Sequence, residues 1–383
     1  MRFSVLLPTR NGGSFIGDCI RSVLEQEAPD FELIVSDNAN TDETPRVLRS
    51  FRGDPRLKVV RLESPVPVTD NWNKALSASS GDYILMLGDD DCLLPGCLQR
   101  LSEAVDKHGD PDCITYNAYT FVTPHGFADS RCSYFSDRHY TFGPEFVGEG
   151  LIPPELRREI VRDMFRFKIR IPLNMQTTLV SRRTAMLVPG LFRPPFPDHY
   201  ALSTLLLRVA SWLYLPENLV IVGVSPKSFG HYFYSNRPED GLAYLGIDSS
   251  FEDRLPGNEL LNCMCIWLQL LKVDNPEVLK GIAVDRGAYV RRQAYYWLLH
   301  YHLGALSFSG VLERARLLAP RDWLRLAGSV FDRAGWRAIW RLLRRQGSAP
   351  IEPLWRGLRP LEHVTSIRDF AALVTGRSAV NDA

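Results

Sequence analysis

Three adjacent carboxylates, Asp89, Asp90 and Asp91, follow directly on the apolar run Tyr83 to Leu87. Carboxylates so close repel one another unless a cation or a solvent shell stabilises them. Mg²⁺ or Mn²⁺ suits such a cluster, because both take oxygen ligands and share carboxylates with substrate phosphates. A solvated acidic turn leading into a helix near Pro95 is the other reading of the same triplet. Asp37 stands just past Val35 and Ser36 in the string ELIVSDNANTDET. A carboxylate there can accept an N–H from a nucleobase or close an Asx turn, and Asn38, Asn40, Thr41 and Asp42 beside it are all turn formers. Thr44 and Pro45 then predict an N-cap and a helix start.

Side chains of this kind need elements to hold them, and the hydrophobic pattern supplies those. Phe3 to Leu7 is a short apolar run that stops at Pro8, Thr9, Arg10, Asn11 and two glycines, which predicts a buried strand entering a functional loop. Phe15, Ile16, Cys19, Ile20, Val23 and Leu24 recur at helical spacing. The alternation continues with strands at Phe31 to Val35, Leu57 to Leu62 and Tyr83 to Leu87, and helices at Pro45 to Phe51 and Asn71 to Ala78. Strands alternating with helices predict right-handed βαβ units and a mainly parallel sheet, with ligands bound beyond the carboxyl ends of the strands. The polar clusters Pro8 to Asn11, Asp37 to Asp42 and Asp89 to Asp91 all fall at such ends, so one pocket is expected.

Farther on, about Thr120 to Pro172 is rich in aromatics, Gly and Pro, which predicts loops and short helices. Met175 to Ser181 and Leu219 to Val224 read as strands around a helix at Asp198 to Ala210. From about Asn258 the pattern is helical, with Leu260, Leu261, Met264, Trp267, Leu268 and Leu271 on one stripe. Residues 333–345 place Trp336, Ile339, Trp340 and Leu343 on one helical face among Arg333, Arg337, Arg341, Arg344 and Arg345. That pattern fits either peripheral contact with an anionic membrane or a core-facing helix with solvated arginines.

Composition narrows the class. The chain of 383 residues is 45% hydrophobic and 23% charged, with net charge +1, so it folds around a sizeable core and has no global field to attract nucleic acid. Seven scattered cysteines without zinc-ligand spacing read as reduced thiols. No apolar run is long enough for a secretory leader or a transmembrane helix. A cytoplasmic protein is expected, at most peripheral on the inner face of a membrane.

Taken in order, VLLPTRNGG at residues 5–13, ELIVSDNANTDET at 32–44 and GDYILMLGDDDCLLPG at 81–96 resemble the family 2 glycosyltransferases. The resemblance implies a GT-A fold, that is, an α/β architecture with a Rossmann-like, mainly parallel mixed sheet flanked by helices, over residues 1–240, followed by a mainly helical region at 241–383. It implies an inverting, metal-dependent transfer of sugar from a nucleotide-diphosphate donor, a UDP-sugar first among them, to a hydroxyl on a glycan or lipid-linked acceptor. By the same resemblance Pro8, Thr9 and Arg10, with Asn11 beside them, line the nucleotide site; Asp37 contacts the base, Asn73 touches the donor and Asp89 lies near the ribose. Asp90 or Asp91 holds Mg²⁺ or Mn²⁺. The chain departs from the family in having Gly88 at the first acidic position of the usual Asp-x-Asp, which leaves the choice of ligand open. The acceptor base corresponds to Asp198 at a helix start, where an ordinary N-cap is the alternative, and His199 is its neighbour. His231 corresponds to a late metal or phosphate ligand, or is simply packed, with Lys227 and Arg237 flanking it. A sugar nucleotidyltransferase and a catalytically silent, membrane-associated relative are the competing readings.

Overall fold

The computed structural model describes residues 2–28, 30–126, 131–137, 148–168, 173–188, 190–228, 245, 254–302, 304–328, 340 and 357–376. Strand β1 (Phe3–Thr9) lies between β2 (Phe31–Asp37) and β4 (Tyr83–Met86), with β3 (Leu57–Arg61) on the outer edge, all parallel. The inner three are buried almost without interruption, as strands covered on both faces must be. At the edge, β3 exposes Lys58 and Arg61, charges that discourage further pairing.

Strand β1 runs two residues past the expected stop before Pro8. The Leu6 carbonyl accepts from Leu87 on the β4 side, and the Thr9 carbonyl accepts from Asn38 on the β2 side. By alternation the missing N–H of Pro8 faces β4, which has already ended opposite Leu6, so no ladder bond is lost.

Helices cover the sheet where the apolar stripes predict. Helix α1 (Ile16–Leu24) buries Ile16, Cys19, Ile20 and Val23; α2 (Thr44–Ser50) and α3 (Val68–Ala78) follow β2 and β3. Strand β5 (Cys92–Leu93) leads into α4 (Cys97–His108), which closes on Gly109 in the left-handed conformation a C-terminal glycine favours. Strand β6 (Cys113–Val122) is one the apolar pattern did not predict, and β7 (Ser133–Ser136), β8 (Gly150–Leu151) and helix α5 (Pro154–Phe165) follow in the stretch expected to hold loops and short helices. Met175–Thr177 is a 3₁₀ turn and not strand: Asn174 caps it through its side chain, and only β9 (Thr178–Ser181) enters the sheet, antiparallel between β4 and β6. After α6 (Arg182–Leu187) and α7 (Pro197–Arg208), the long β10 (Trp212–Val224) pairs parallel with β6. Strand β11 (Arg359–Leu361) completes the far edge against β7.

The chain forms two compact units. One comprises Met1–Arg158, Ile171–Ile247 and Gly357–Ala383; the other comprises Glu159–Arg170 and Asp248–Arg356. This cuts the chain differently from a single division at residue 240. Residues 357–376 return to the sheet because helix Ile367–Thr375 carries Phe370, fully buried and stacked on Phe121 at 5.1 Å, together with Ile367. The second unit is helical, and the expected stripe on helix Glu259–Asp274 buries Leu261, Met264, Trp267, Leu268 and Leu271. In it, the buried amides of Asn262 and Gln293 satisfy each other and the Tyr289 hydroxyl.

Candidate active site

Strands β1, β2 and β4 end side by side, with Thr9 in register opposite Asp37. The turn after β4 then brings its carboxylates to the end of β1. The Thr9 hydroxyl donates to Asp89 Oδ2 at 2.6 Å. Gly12 is obligatory here: a Cβ would lie 2.0 Å from Asp89 Oδ2 and 2.8 Å from Thr9 Oγ1. Asp91 points away from the cleft and is 1% exposed, its two oxygens accepting from the backbone N–H groups of Gly88 at 2.5 Å and Gly223 at 2.9 Å. Asp90 lies over β10, where a Cβ on Gly223 would sit 1.8 Å from its carbonyl oxygen, and it accepts from the Ser228 hydroxyl at 2.8 Å. Burial first, and then the charge of Asp90, pushes Asp89 up to about 7 and Asp91 up to about 8; burial also raises Asp90. Lys227 offsets only part of this rise at Asp89.

The loops around it are cross-linked by short polar bonds. Asn11, at φ +58°, receives its place from both sides: its N–H donates to Asn40 Oδ1 at 2.5 Å, and its Oδ1 accepts from Thr41 N at 3.0 Å. Asp42 accepts from Gly13 N at 3.0 Å and from Thr44 N at 2.9 Å, so Asp42 and not Thr44 supplies the oxygen that starts α2. Thr44 instead is the buried first residue of that helix. Lys227 joins the same group, its Nζ donating to the Asn11 carbonyl at 2.5 Å and lying 3.6 Å from Asp42.

Asp37 is 2% exposed, and its Oδ1 accepts from Asn40 N at 2.9 Å, the turn-closing bond; Oδ2 lies 3.5 Å from Arg61. Asn38 pins the chain beyond β3 by giving to and taking from Val66, at 2.9 and 2.8 Å. Little in the sequence singled out Asn38 or Asn40 beyond turn propensity, and nothing singled out Gly223 or Ser228.

Asp198 is the second residue of α7, after Pro197, while the cap position falls to Phe196, so the N-cap role expected as the alternative is not its own. Its Oδ1 accepts from His199 N at 2.8 Å and its side chain is 30% exposed. The loop that delivers it is held from α3. Asn73 Nδ2 donates to the Phe192 carbonyl at 3.0 Å, and Trp72 meets the Phe192 ring edge-on at 5.2 Å. Pro8 is half-buried and Arg10 exposed at the mouth of the β1 loop. His231, Arg237 and all of residues 333–345 except Trp340 lie outside the described residues. Among the described residues no three His, Cys, Asp or Glu side chains converge as a metal cage.

Comparison with known proteins is concentrated on this half. Residues 4–150 match the model for glycosyl transferase family 2. An uncharacterized protein, MT1568 of Mycobacterium tuberculosis, is 37% identical over 99 residues, 26% of this chain and 31% of that protein. The poly(ribitol-phosphate) beta-N-acetylglucosaminyltransferase TarS of Staphylococcus aureus is 32% identical over 112 residues, 28% of this chain and 19% of that protein. The chain thus spans under a third of the length of these relatives. The crystal structure of a TarS fragment in complex with UDP-GlcNAc shares the fold, with a TM-score of 0.50 and 17% identity over 79% of this chain and 73% of that one.

Proposed function

We propose that this chain, which belongs to glycosyl transferase family 2 through residues 4–150, transfers a sugar from a nucleoside-diphosphate donor to an acceptor hydroxyl with inversion. The observation that carries the reading is the gathering of Thr9, Asp37, Asp89 and Asp90 at three neighbouring strand ends, with the carboxylate of Asp198 in the first turn of α7, beyond a separate, braced loop. A UDP-sugar is the donor of choice, given the UDP-GlcNAc bound by the related TarS fragment.

Each side chain then has a role. Asp37 and the Asn38 to Asp42 loop form the base end of the site, and Thr9 fixes Asp89 toward the ribose. The acceptor hydroxyl gives its proton to Asp198 as its oxygen bonds to the anomeric carbon. The bond from that carbon to the diphosphate oxygen breaks, and the nucleoside diphosphate leaves from the opposite face. Lys227 places positive charge beside the β1 loop, where the phosphates would lie. Asn73 acts on the reaction through Phe192, by fixing the loop that carries Asp198.

The donor set fits a hard divalent cation. Asp90, aided by Asp89, would hold Mg²⁺ or Mn²⁺, which when bound neutralises charge on the departing diphosphate. Asp91 is less suited than Asp90, being 1% exposed with each oxygen held by a backbone N–H group. An ion shared between one or two carboxylates and substrate phosphates needs no all-protein cage.

The test is thermal denaturation with UDP, with and without divalent metal, alongside hydrolysis of a nucleotide-sugar panel. At ~100-fold excess over the dissociation constant UDP adds about 2.7 kcal/mol of stability. An equal melting shift in EDTA would count against metal-bridged binding, and no hydrolysis of any donor would count against the transferase itself.

A further inference from the structure

In the helical unit, helix Pro320–Gly328 buries a polar side chain: Asp322 is 3% exposed and lies 3.1 Å from both Arg286 and Arg325. Its exposed side chains include two large apolar ones, Trp323 at 51% and Leu324 at 73%, beside Arg321 and Arg325. The preceding helix, Phe308–Ala315, buries no side chain and exposes Phe308 and Leu312 at i and i+4, and Phe308 meets the exposed ring of Tyr301 at 6.1 Å. Leu317 between the two helices is exposed as well. Six large apolar side chains are thus exposed between residues 301 and 324, more than scattered single exposures account for, as on an interaction surface.

The surrounding charge selects the partner. Between residues 308 and 328 the arginines at 314, 316, 321 and 325 stand against only Glu313 and Asp322, and the charge of Asp322 is already met by arginine inside the unit. The sequence that follows, residues 329–345, adds five arginines against one acid, Asp332. Exposed Trp, Leu and Phe ringed by arginine is the composition of a surface that lies in the head-group region of an anionic bilayer. Among the described residues no helix is long and apolar enough to cross a membrane.

We propose that the face of helices Phe308–Ala315 and Pro320–Gly328 docks on an anionic lipid surface, with Trp323 and Leu324 at the acyl boundary and Arg316 and Arg321 on the head groups. This docking is independent of the proposed catalysis.

The full chain is sedimented with phosphatidylcholine vesicles, with or without about one-third phosphatidylglycerol. The parent should bind the anionic vesicles at least ~10-fold more tightly than the neutral ones, less so at high salt. W323S/L324S should lose that binding by ~10-fold or more, and R316E/R321E should abolish the preference for anionic lipid. Because W323S/L324S can also loosen the unit, a second readout uses lipids brominated in the acyl chain. These should quench parent tryptophan emission, and Trp323→Phe, which keeps apolar bulk, should reduce the quenching while still binding. Parent chain that ignores anionic vesicles, or quenching unchanged in Trp323→Phe, overturns the proposal. A concentration-dependent dimer that Leu324→Ser dissolves would assign the face to a second copy and overturn it too.

Discussion

At the residue scale, two aspartates adjacent in sequence are expected to fail differently. Asp91→Asn places an amide where both carboxylate oxygens accept buried backbone N–H groups, so one donor is left facing another. The variant should lose about 1–3 kcal/mol of stability, read as an earlier melting transition. Asp90→Asn should leave the melting of the ligand-free protein nearly unchanged and weaken metal-dependent UDP binding. Reversal of these two phenotypes would exchange the proposed bracing and binding roles. Asp198→Asn keeps shape and first-turn position while removing proton acceptance. Sugar transfer should fall by about 10²- to 10⁴-fold with UDP affinity near the parent value, which initial rates and calorimetry separate. A near-parent rate would move the base elsewhere. Adjacent acids are legible in sequence as a group, but their division of labour is not. It depends on Gly88 and Gly223, the latter 132 positions away, aiming their N–H groups at Asp91 and not at Asp90. The bond from Asn73 to the Phe192 carbonyl was hidden for the same reason, its partner being 119 residues distant.

At the scale of elements, the apolar periodicity located β1 to β4, α1 and the stripe of helix Glu259–Asp274, because both faces of those strands and one face of those helices must be covered. It missed β6 altogether, and β7 and β8, which are two to four residues long and carry no periodic signal, and it shortened β10. These elements are held by long-range charge as much as by pattern. Glu149, just before β8, accepts from Lys107 and His108 on α4 at 2.7 and 2.6 Å and pairs with Arg100 at 2.7 Å, while Arg100 also reaches Glu217 in β10. Lys107 and His108, and then Arg100, hold the Glu149 carboxyl down at about 2, against its ordinary 4.5. A depressed folded value stabilises the native state above about pH 4.5, and that contribution is lost as pH falls toward 2. Glu149→Gln should therefore flatten the acid limb of a melting-temperature profile between those values, by on the order of 1 kcal/mol for a partly screened cluster. An unchanged limb would show that the cluster contributes nothing to stability.

At the scale of the whole molecule, the expected boundary at residue 240 is the largest departure. Helical character from residue 258 onward was legible, but the return of the chain to the sheet was not, since nothing in the composition of helix Ile367–Thr375 distinguishes it from the helices before it. Phe370 identifies the destination, being fully buried against Phe121, Tyr119 and Phe135. Phe370→Ala should cost about 3–5 kcal/mol, and the melting of the unit that holds the sheet should fall with it. A sheet unit that melts as the parent does would make residues 357–376 an accessory strap.

That return also sets an order of events during synthesis. The unit that holds the sheet has nearly all its strands once residue 247 has left the ribosome, yet the helix that covers Phe121 and Ile221 is made only after Asp248–Arg356. At 5–20 residues per second the gap is on the order of ten seconds. For that interval an apolar patch stands open on an otherwise finished sheet, while the helical unit completes itself first. The nascent chain should accordingly be most open to chaperone capture while residues 248–375 are being made, not while residues 1–120 are.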